Sequence, residues 1–263
     1  MQRPAPALFD SHTHLDDARF DGDRQVVLER AARAGVTDIV LAGVTARRWP
    51  AIRDTCALRV PGLRLHAGYG LHPMFVDEHR ASDLQDLEHW LHEQSPLAIG
   101  ECGLDFQVKA DPGTQRHYFR HQLGLARETG LPVIIHARKA VEEIILTLRR
   151  EGPVRGVVHS YGGSIEQARQ LWELGLHLGL GGPLTHERAH KLHRLVAAMP
   201  LAQLLLETDA PDQPGAAHRG QRNEPAYVVE VLDAVARRRE ETREAIAEAT
   251  RRNALGLFGL DNA

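Results

Sequence analysis

The fold class that this sequence predicts is a (β/α)8 barrel, and three observations point to it. Short apolar, β-branched runs recur along the 263 residues, as strands do when both faces of a parallel sheet are buried. A longer stretch with helical spacing follows nearly every run, and this alternation predicts a parallel sheet. Eight such units within this length favour closure into a barrel over a doubly wound open sheet, which is the alternative.

The predicted strands are short runs rich in Val, Ile and Leu. In chain order they lie at residues 7–10, 37–42, 63–68, 97–101, 132–136, 156–159, 177–180 and 204–207. Apolar positions at helical spacing predict helices between them, at 24–34, 84–93, 115–129, 140–151, 165–174 and 188–198, with further helices from Pro225 onward. The stretch 210–225 contains Pro and Gly and is expected to be a long loop, where function is often found.

Composition limits the class of protein. With 43% hydrophobic residues, no internal repeat and no long linker, residues 1–263 are expected to form a single domain. The net charge of −3 gives no general attraction to polyanions, so nucleic-acid binding would need a local basic patch. Two cysteines are too few for a disulfide framework, and no apolar run approaches the roughly twenty residues that cross a bilayer. Residues 1–7 lack signal-peptide features. We therefore expect a cytoplasmic protein without a membrane partner.

Side chains of metal-ligand type stand at the ends of several predicted strands. The first strand leads into the sequence DSHTH, where period-two alternation points His12 and His14 to the same side of the backbone. One such pair is weak evidence in a chain with 16 histidines. Because the C-terminal ends of barrel strands converge on one face, we expect four further residues to join them around one cavity. These are Glu101, His136, His159 and Asp209.

Six ligands of this kind predict a centre for two divalent metal ions. Burying carboxylates beside imidazoles is costly unless cations compensate the charge. One catalytic zinc ion needs only three protein ligands, whereas two ions that share a bridging carboxylate, here Glu101, would use all six. Such ions polarise a water molecule and stabilise developing charge, which predicts hydrolysis. Imidazole-rich ligation suits Zn or Mn, while nucleases often use Mg, so the identity of the metal stays open.

Six segments resemble those of the TatD-type metal-dependent deoxyribonucleases, a branch of the amidohydrolase-like barrel hydrolases. They are FDSHTHL at 9–15, GLHP at 70–73, GECGLD at 100–105, LPVIIHAR at 131–138, VHS at 158–160 and LETDAP at 206–211. The resemblance spans nearly the whole chain. It implies that His12, His14 and Asp209 hold one ion and that His136 and His159 hold the other, with Glu101 between them.

The resemblance also implies a substrate and residues that contact it. The substrate would be DNA trimmed from its ends, or another phosphoester. Asp209 would accept a proton from the attacking water, and His72 would lie beside the substrate phosphate. Arg138, Glu207 and the loop around Asn223 would shape the pocket. The sequence departs from the family pattern at 160–164 (SYGGS) and at Lys139, where an acidic residue is common, which leaves the identity of the phosphoester open.

Other functions fit the sequence less well. Residues 186–190 match H-E-x-x-H, the pattern of a zinc metalloprotease. Pro183 and Thr185 predict a helix start that leaves His186 exposed, so we favour the interpretation that these are surface histidines.

An amidohydrolase acting on a small cyclic amide or lactone would use the same barrel. Such enzymes often bridge their metals with a modified lysine, and segments 97–106 and 156–162 contain none. A barrel without catalysis would have lost ligands, and none is missing.

Basic residues supply the local charge that binding of a nucleic acid requires. We expect six of them to lie in loops or helix starts near the active face, where they could contact phosphates, although an isolated surface cation is by default a solvated charge. They are Arg138, Lys139, Arg188, Lys191, Arg219 and Arg222. We expect a monomer, with an oligomer left open.

Overall fold

Residues 6–261 are described by a computed structural model and fold around eight parallel strands. Each strand pairs with the next in sequence order, from β1 to β8. The strands are β1 (Leu8–Thr13), β2 (Val36–Ala42), β3 (Arg64–Tyr69), β4 (Ala98–Asp105), β5 (Val133–Arg138), β6 (Gly156–Val158), β7 (Leu176–Leu180) and β8 (Leu204–Leu206). The expectation that a signal peptide is absent rests mainly on residues 1–5, which lie outside the described part.

Helices follow the strands and cover the outside of the sheet. They are α1 (Arg24–Arg33), α2 (Trp49–Cys56), α3 (Asp83–Gln94), α4 (Pro112–Thr129), α5 (Val141–Glu151), α6 (Ile165–Glu173), α7 (His190–Ala198), α8 (Val228–Ala236) and α9 (Arg243–Phe258). This alternation confirms the predicted (β/α)8 barrel. No helix within residues 6–261 is both long and apolar enough to cross a bilayer.

The barrel closes where β8 meets β1, and side chains supply much of this seam. The buried Asp10 carboxylate accepts hydrogen bonds from the Thr208 backbone N–H at 2.9 Å and from the Thr208 hydroxyl at 2.6 Å. The Ser11 hydroxyl donates to the Leu206 carbonyl at 3.0 Å. Backbone bonds continue the seam, because the Asp209 N–H donates to the His12 carbonyl at 2.9 Å. The open-sheet alternative is therefore wrong.

The last helix closes the end of the barrel that lies away from the strands' C-termini. Buried apolar residues near the N-terminal ends of several strands, among them Phe9 and Ile134, cluster with Leu257 and Phe258 of α9. The Phe9 and Phe258 rings stack with centroids 5.7 Å apart. Removal of this apolar surface from water stabilises the closed end. The C-terminal ends of the strands remain free to form a site.

Several elements differ from the sequence prediction. Strands β1 and β5 continue past their predicted ends, to Thr13 and Arg138, and α4 begins three residues earlier than predicted, at Pro112. Helix α2 was not predicted, because it has only eight residues and begins at Trp49-Pro50, where Pro occupies the second position of the first turn. Strand β4 continues to Asp105, so Glu101 lies within the strand and not at its end. Helix α7 begins at His190, two residues later than expected, after a short 3-10 turn at Gly182–Thr185.

Candidate metal centre

The six predicted ligands converge at the C-terminal ends of the strands and form two groups. In the first group, the Nε2 atoms of His12 and His14 lie 3.2 Å apart. The Asp209 carboxylate places Oδ1 3.4 Å from each of these nitrogens. Glu101 Oε2 completes the group at 3.3 Å from His12 Nε2 and 3.4 Å from His14 Nε2.

The second group forms around the other oxygen of the same glutamate. Glu101 Oε1 lies 2.7 Å from His159 Nε2 and 2.9 Å from His136 Nδ1, and these two nitrogens are 3.2 Å apart. One carboxylate therefore faces both groups, with one oxygen directed at each. This is the arrangement that a carboxylate bridging two cations requires.

Local backbone geometry positions these side chains. His12 lies within β1, and Glu101 and His136 lie within the adjacent strands β4 and β5. Gly103 faces His136 across these strands with a φ of +129°, and a Cβ atom there would overlap the His136 carbonyl. Asp209 has a φ of +62°, a conformation that Asp adopts more readily than most residues. The turn after β8 thereby directs its carboxylate into the centre.

The hydrogen bonds of the imidazoles show that the donor set fits cations. His14 Nδ1 donates to the Ala42 carbonyl at 3.0 Å, and His136 Nε2 donates to the Asp105 carboxylate at 3.0 Å. In the neutral rings, the lone pairs therefore lie on His14 Nε2 and His136 Nδ1, the atoms that face Glu101. Glu101 Oε2 is buried and has no hydrogen-bond partner among the described residues. Lone pairs that converge on carboxylate oxygens need a cation between them.

Charge coupling in the cluster shifts the pKa values of its members. Burial alone would raise the pKa of Glu101, but the facing charges of His159 and other imidazoles hold it well below its usual 4.5. Burial would lower the pKa of His159, yet Glu101 raises it well above 6.5. The metal-free cluster thus attracts protons to its imidazoles. Since ligating nitrogens must be deprotonated, cation binding would release those protons.

His72 contacts the centre in a different way from the six ligands. Its Nδ1 accepts a hydrogen bond from the Met74 backbone N–H at 2.9 Å, so in the neutral ring the proton lies on Nε2. This Nε2–H donates to Glu101 Oε1 at 2.9 Å. Burial lowers the pKa of His72 to about 4, which keeps the ring neutral. His72 is therefore a hydrogen-bond donor at the edge of the centre.

Two further residues orient the ligands, and sequence reasoning gave neither of them a role. Asp105 holds the His136 ring through the hydrogen bond described above. Asp105 is also the last residue of segment 100–105, one of the six that resemble the family, so the sequence contained a signal for it. Gln213 Nε2 donates to Asp209 Oδ2, while Gln213 Oε1 accepts from the Ser160 hydroxyl at 2.8 Å. Gln213 lies in the loop after β8, which has no periodicity that could have identified it.

A cavity of about 950 Å³ opens above the centre. His72 and Arg138, both predicted to contact substrate, line it. Glu207 does not line it, because its buried side chain accepts from the Ser160 N–H at 2.6 Å behind His159. Asn223 is also buried, where its amide donates to the Thr208 carbonyl at 2.8 Å and supports the loop after β8.

The other predicted basic residues divide into two sets. Lys139 and Lys191 line the cavity, whereas Arg188 and Arg219 are exposed outside it. Arg222 is paired with Asp23 through two hydrogen bonds of 2.7 Å. Only part of the predicted basic surface is therefore at the mouth.

The H-E-x-x-H segment does not form a metalloprotease site. His186 follows the 3-10 turn, and His190 begins α7, so the two imidazoles do not share one helix. His186 Nε2 lies 3.4 Å from the Pro214 carbonyl. Within residues 6–261, the groups of side chains placed to hold a metal all belong to the centre at the barrel mouth. The protease interpretation is wrong for this geometric reason.

The barrel and its two ligand groups define a class, the metal-dependent barrel hydrolases, and comparison with known proteins identifies the family. The sequence model of the family described as TatD related DNase matches residues 9–259. The chain therefore belongs to this family. It is a metal-dependent hydrolase that acts on ester bonds.

Individual relatives support this assignment over nearly the full length. The metal-dependent hydrolase YjjV of Escherichia coli, whose function is uncharacterized, is 37% identical over 258 residues, which cover 96% of this chain and 98% of the relative. Its crystal structure superposes with a TM-score of 0.89 over 96% of this chain and 98% of that chain, at 35% identity. The 3'-5' ssDNA/RNA exonuclease TatD of Pantoea ananatis is 33% identical over 268 residues, covering 96% and 100%.

Proposed function

We propose that this protein is a phosphodiesterase that uses two divalent metal ions and removes nucleotides from the ends of DNA. One ion would be held by His12, His14 and Asp209, the other by His136 and His159. The observation that carries the proposal is the Glu101 carboxylate, because its two oxygens face the two groups of nitrogens separately. The name of the Pantoea relative supports a nucleic-acid substrate.

The chain's own groups would bind the phosphodiester and move the proton. When bound, the cations would supply an activated water molecule and offset charge on the phosphoryl oxygens. The neutral His72 Nε2–H would donate to a phosphoryl oxygen, as it now donates to Glu101 Oε1. The exposed Arg138 at the rim would pair with the phosphate through its guanidinium. Asp209, which lines the cavity, would accept the proton from water.

The experiment is hydrolysis of single-stranded DNA and of a small phosphodiester by metal-free protein. Mg²⁺, Mn²⁺ and Zn²⁺ are resupplied separately, and Glu101→Ala is compared with Glu88→Ala, an exposed glutamate of α3 remote from the centre. We expect a cation to restore hydrolysis in the wild type and in Glu88→Ala but not in Glu101→Ala. Activity on neither substrate, with hydrolysis of a cyclic amide or lactone instead, would refute the phosphodiesterase proposal.

We further propose that residues 1–263 act as one domain and as a monomer. The proposal is supported by the observation that one chain supplies every side chain of both groups, so the proposed centre needs no second copy. Size-exclusion chromatography with light scattering tests the monomer, and a mass well above 29.2 kDa would contradict it.

A further inference from the structure

Positive charge that is free to bind a ligand is distributed unevenly around the mouth of the cavity. Among residues 6–261, five lysine and arginine side chains line it. The chain contains three lysines, and two of them, Lys139 and Lys191, are among the five. Arg138 joins these lysines on the side of β5 and β6, whereas Arg19 and Arg48 lie on the side of β1 and β2.

On the β1 and β2 side, carboxylates already neutralise the cations. Arg19 pairs with Asp212 at 2.8 Å and with Asp17 at 3.0 Å. Arg48 pairs with the buried Asp16 at 2.7 Å and lies 3.6 Å from Asp17. Three carboxylates therefore face two guanidinium groups. Both guanidinium groups are therefore already paired and less available to a phosphate.

On the β5 and β6 side, the cations have no such partners. Neither Arg138 nor Lys139 forms an ion pair with a carboxylate of residues 6–261, and both are exposed. The Arg138 charge acts on Asp105, but that carboxylate is already hydrogen-bonded to His136. Lys191 Nζ donates to the neutral Gly162 carbonyl at 2.8 Å. The positive charge here is therefore available to a ligand.

The acid on this side does not cancel that charge. Glu142 lines the mouth and accepts a hydrogen bond from Gln167 at 3.4 Å. Glu166 also lies close enough to Lys191 to feel its charge, but it interacts with Arg169 as well and does not line the cavity. Among the residues that line this side, Glu142 is one carboxylate beside three cations. Arg138 follows the ligand His136 by two residues, and Gly162 follows the ligand His159 by three, so the free charge borders the second ligand group directly.

Every nucleotide of a single polynucleotide strand carries one negatively charged phosphate. When one phosphate lies at the metal centre, the neighbouring phosphates need cationic partners. We propose that Arg138, Lys139 and Lys191 bind these neighbouring phosphates and that the uncut strand crosses the rim over β5 and β6. The inference rests on the proposed function and narrows its class of substrate. The substrate would be a chain several nucleotides long and not a mononucleotide-sized diester.

The test is binding rather than hydrolysis, so that it does not depend on the metals. A fluorescein-labelled single-stranded DNA oligonucleotide is titrated with protein in EDTA at several salt concentrations, and anisotropy gives the dissociation constant. For single strands, the slope of log K against log salt changes by about 0.7 for each phosphate contact. We expect Lys139→Met and Lys191→Met each to flatten the slope by about 0.7 and the double variant by about 1.4.

Two controls make the result specific. Lys109→Met removes the remaining lysine, which is exposed at the same end of the barrel but does not line the cavity. This variant should leave the slope of log K against log salt unchanged. Lys139→Arg should keep the wild-type slope. A double variant with the wild-type slope and affinity would overturn the inference. If the lysine variants weaken binding but the metal-loaded wild type cuts no DNA, the proposed function fails and only the binding of a single strand by these lysines stands.

Discussion

At the scale of single residues, two side chains outside the six candidate ligands hold members of that set in place by hydrogen bonds. Asp105 sets which nitrogen of His136 carries the proton, and Gln213 sets which oxygen of Asp209 turns away from the imidazoles. Outer partners of this kind hold ligand orientation and raise ligand basicity. Two substitutions test these roles.

Asp105→Asn keeps the shape of the side chain but removes its charge. The His136 ring would lose the carboxylate that stabilises Nε2–H, so Nδ1 would be less available as a ligand. We expect metal affinity to fall about 10- to 100-fold. Isothermal titration of the metal-free protein with Mn²⁺ measures this change. Unchanged affinity would show that Asp105 does not orient His136.

Gln213→Met removes the amide that bonds both Asp209 and Ser160. The Asp209 carboxylate would then rotate more freely, and we expect affinity for the cation of the first group to fall by about tenfold. The matched control is Gln25→Met, an exposed glutamine of α1 remote from the centre. Equal Mn²⁺ titrations for the two variants would contradict the role given to Gln213.

The six converging side chains were predictable from sequence because strand ends meet on one face of a barrel, whatever their separation along the chain. His12 and His14 also carry a local alternation signal. Gln213 carries none, since its position depends on how the loop after β8 folds back. The burial of Glu207 behind His159 depends likewise on packing that no periodicity encodes.

At the scale of elements, ion pairs tie the loop after β8 to the segment between β1 and α1. Arg222 pairs with Asp23 through two bonds and lies over the Phe20 ring at 4.6 Å. Arg19 pairs with Asp212 through two further bonds of 2.8 and 2.9 Å. Paired guanidinium forks of this kind restrict geometry as well as adding energy. They hold the loop that carries Gln213.

Arg222→Met should therefore loosen this loop with little effect on global stability. A half-exposed ion pair contributes on the order of 1 kcal/mol or less. We expect faster trypsin cleavage at the exposed Arg219, measured by mass spectrometry, with a melting temperature close to that of the wild type. The control is Arg252→Met, which removes an exposed cation from α9. Cleavage at the wild-type rate would show that Arg222 does not hold the loop.

Element prediction was accurate where apolar spacing ran for several turns and failed where it did not. Helix α5 shows apolar residues at helical spacing over eleven residues, and its predicted range differs by one residue. Helix α2 has two turns, too few for a periodic pattern to emerge. The extension of β4 to Asp105 arises from its pairing with β5, a long-range contact.

At the scale of the whole molecule, stability depends on pH through the closed end of the barrel. Burial would raise the pKa of Asp38, but hydrogen bonds from His66, Arg64 and Thr37 hold it below its usual 3.8. A carboxylate with a lowered pKa adds stability above its unfolded pKa and loses it as pH falls through the folded value. The contribution of Asp38 is therefore complete near pH 5 and above, and it declines below about pH 4.

Urea unfolding in EDTA between pH 7 and pH 2.5 measures this dependence. The difference in unfolding free energy between wild type and Asp38→Asn should be constant from pH 7 to about pH 5 and shrink below about pH 4. Asp54→Asn, which alters an exposed carboxylate, serves as the control. A difference for Asp38→Asn that stays constant down to pH 2.5 would disprove the linkage.

Metal binding should also stabilise the whole fold, because the ligand groups exist only in the native barrel. A ligand at 100 times its dissociation constant adds about 2.7 kcal/mol. For a chain of this size, that raises the melting temperature by roughly 5–10 °C. We expect calorimetry to show this rise for wild type on addition of Mn²⁺ and no rise for Glu101→Ala. Equal shifts would place the stabilising cation elsewhere.

The seam between β8 and β1 makes assembly of the first ligand group depend on closure of the barrel. His12 and His14 are synthesised nearly 200 residues before Asp209 and before Thr208, which fastens the Asp209 turn to Asp10 (a separation of 198 residues). A chain that ends before Thr208 lacks the Asp209 member of the first ligand group and the hydrogen bonds between Thr208 and Asp10. Closure of this seam therefore completes the barrel and the first ligand group together.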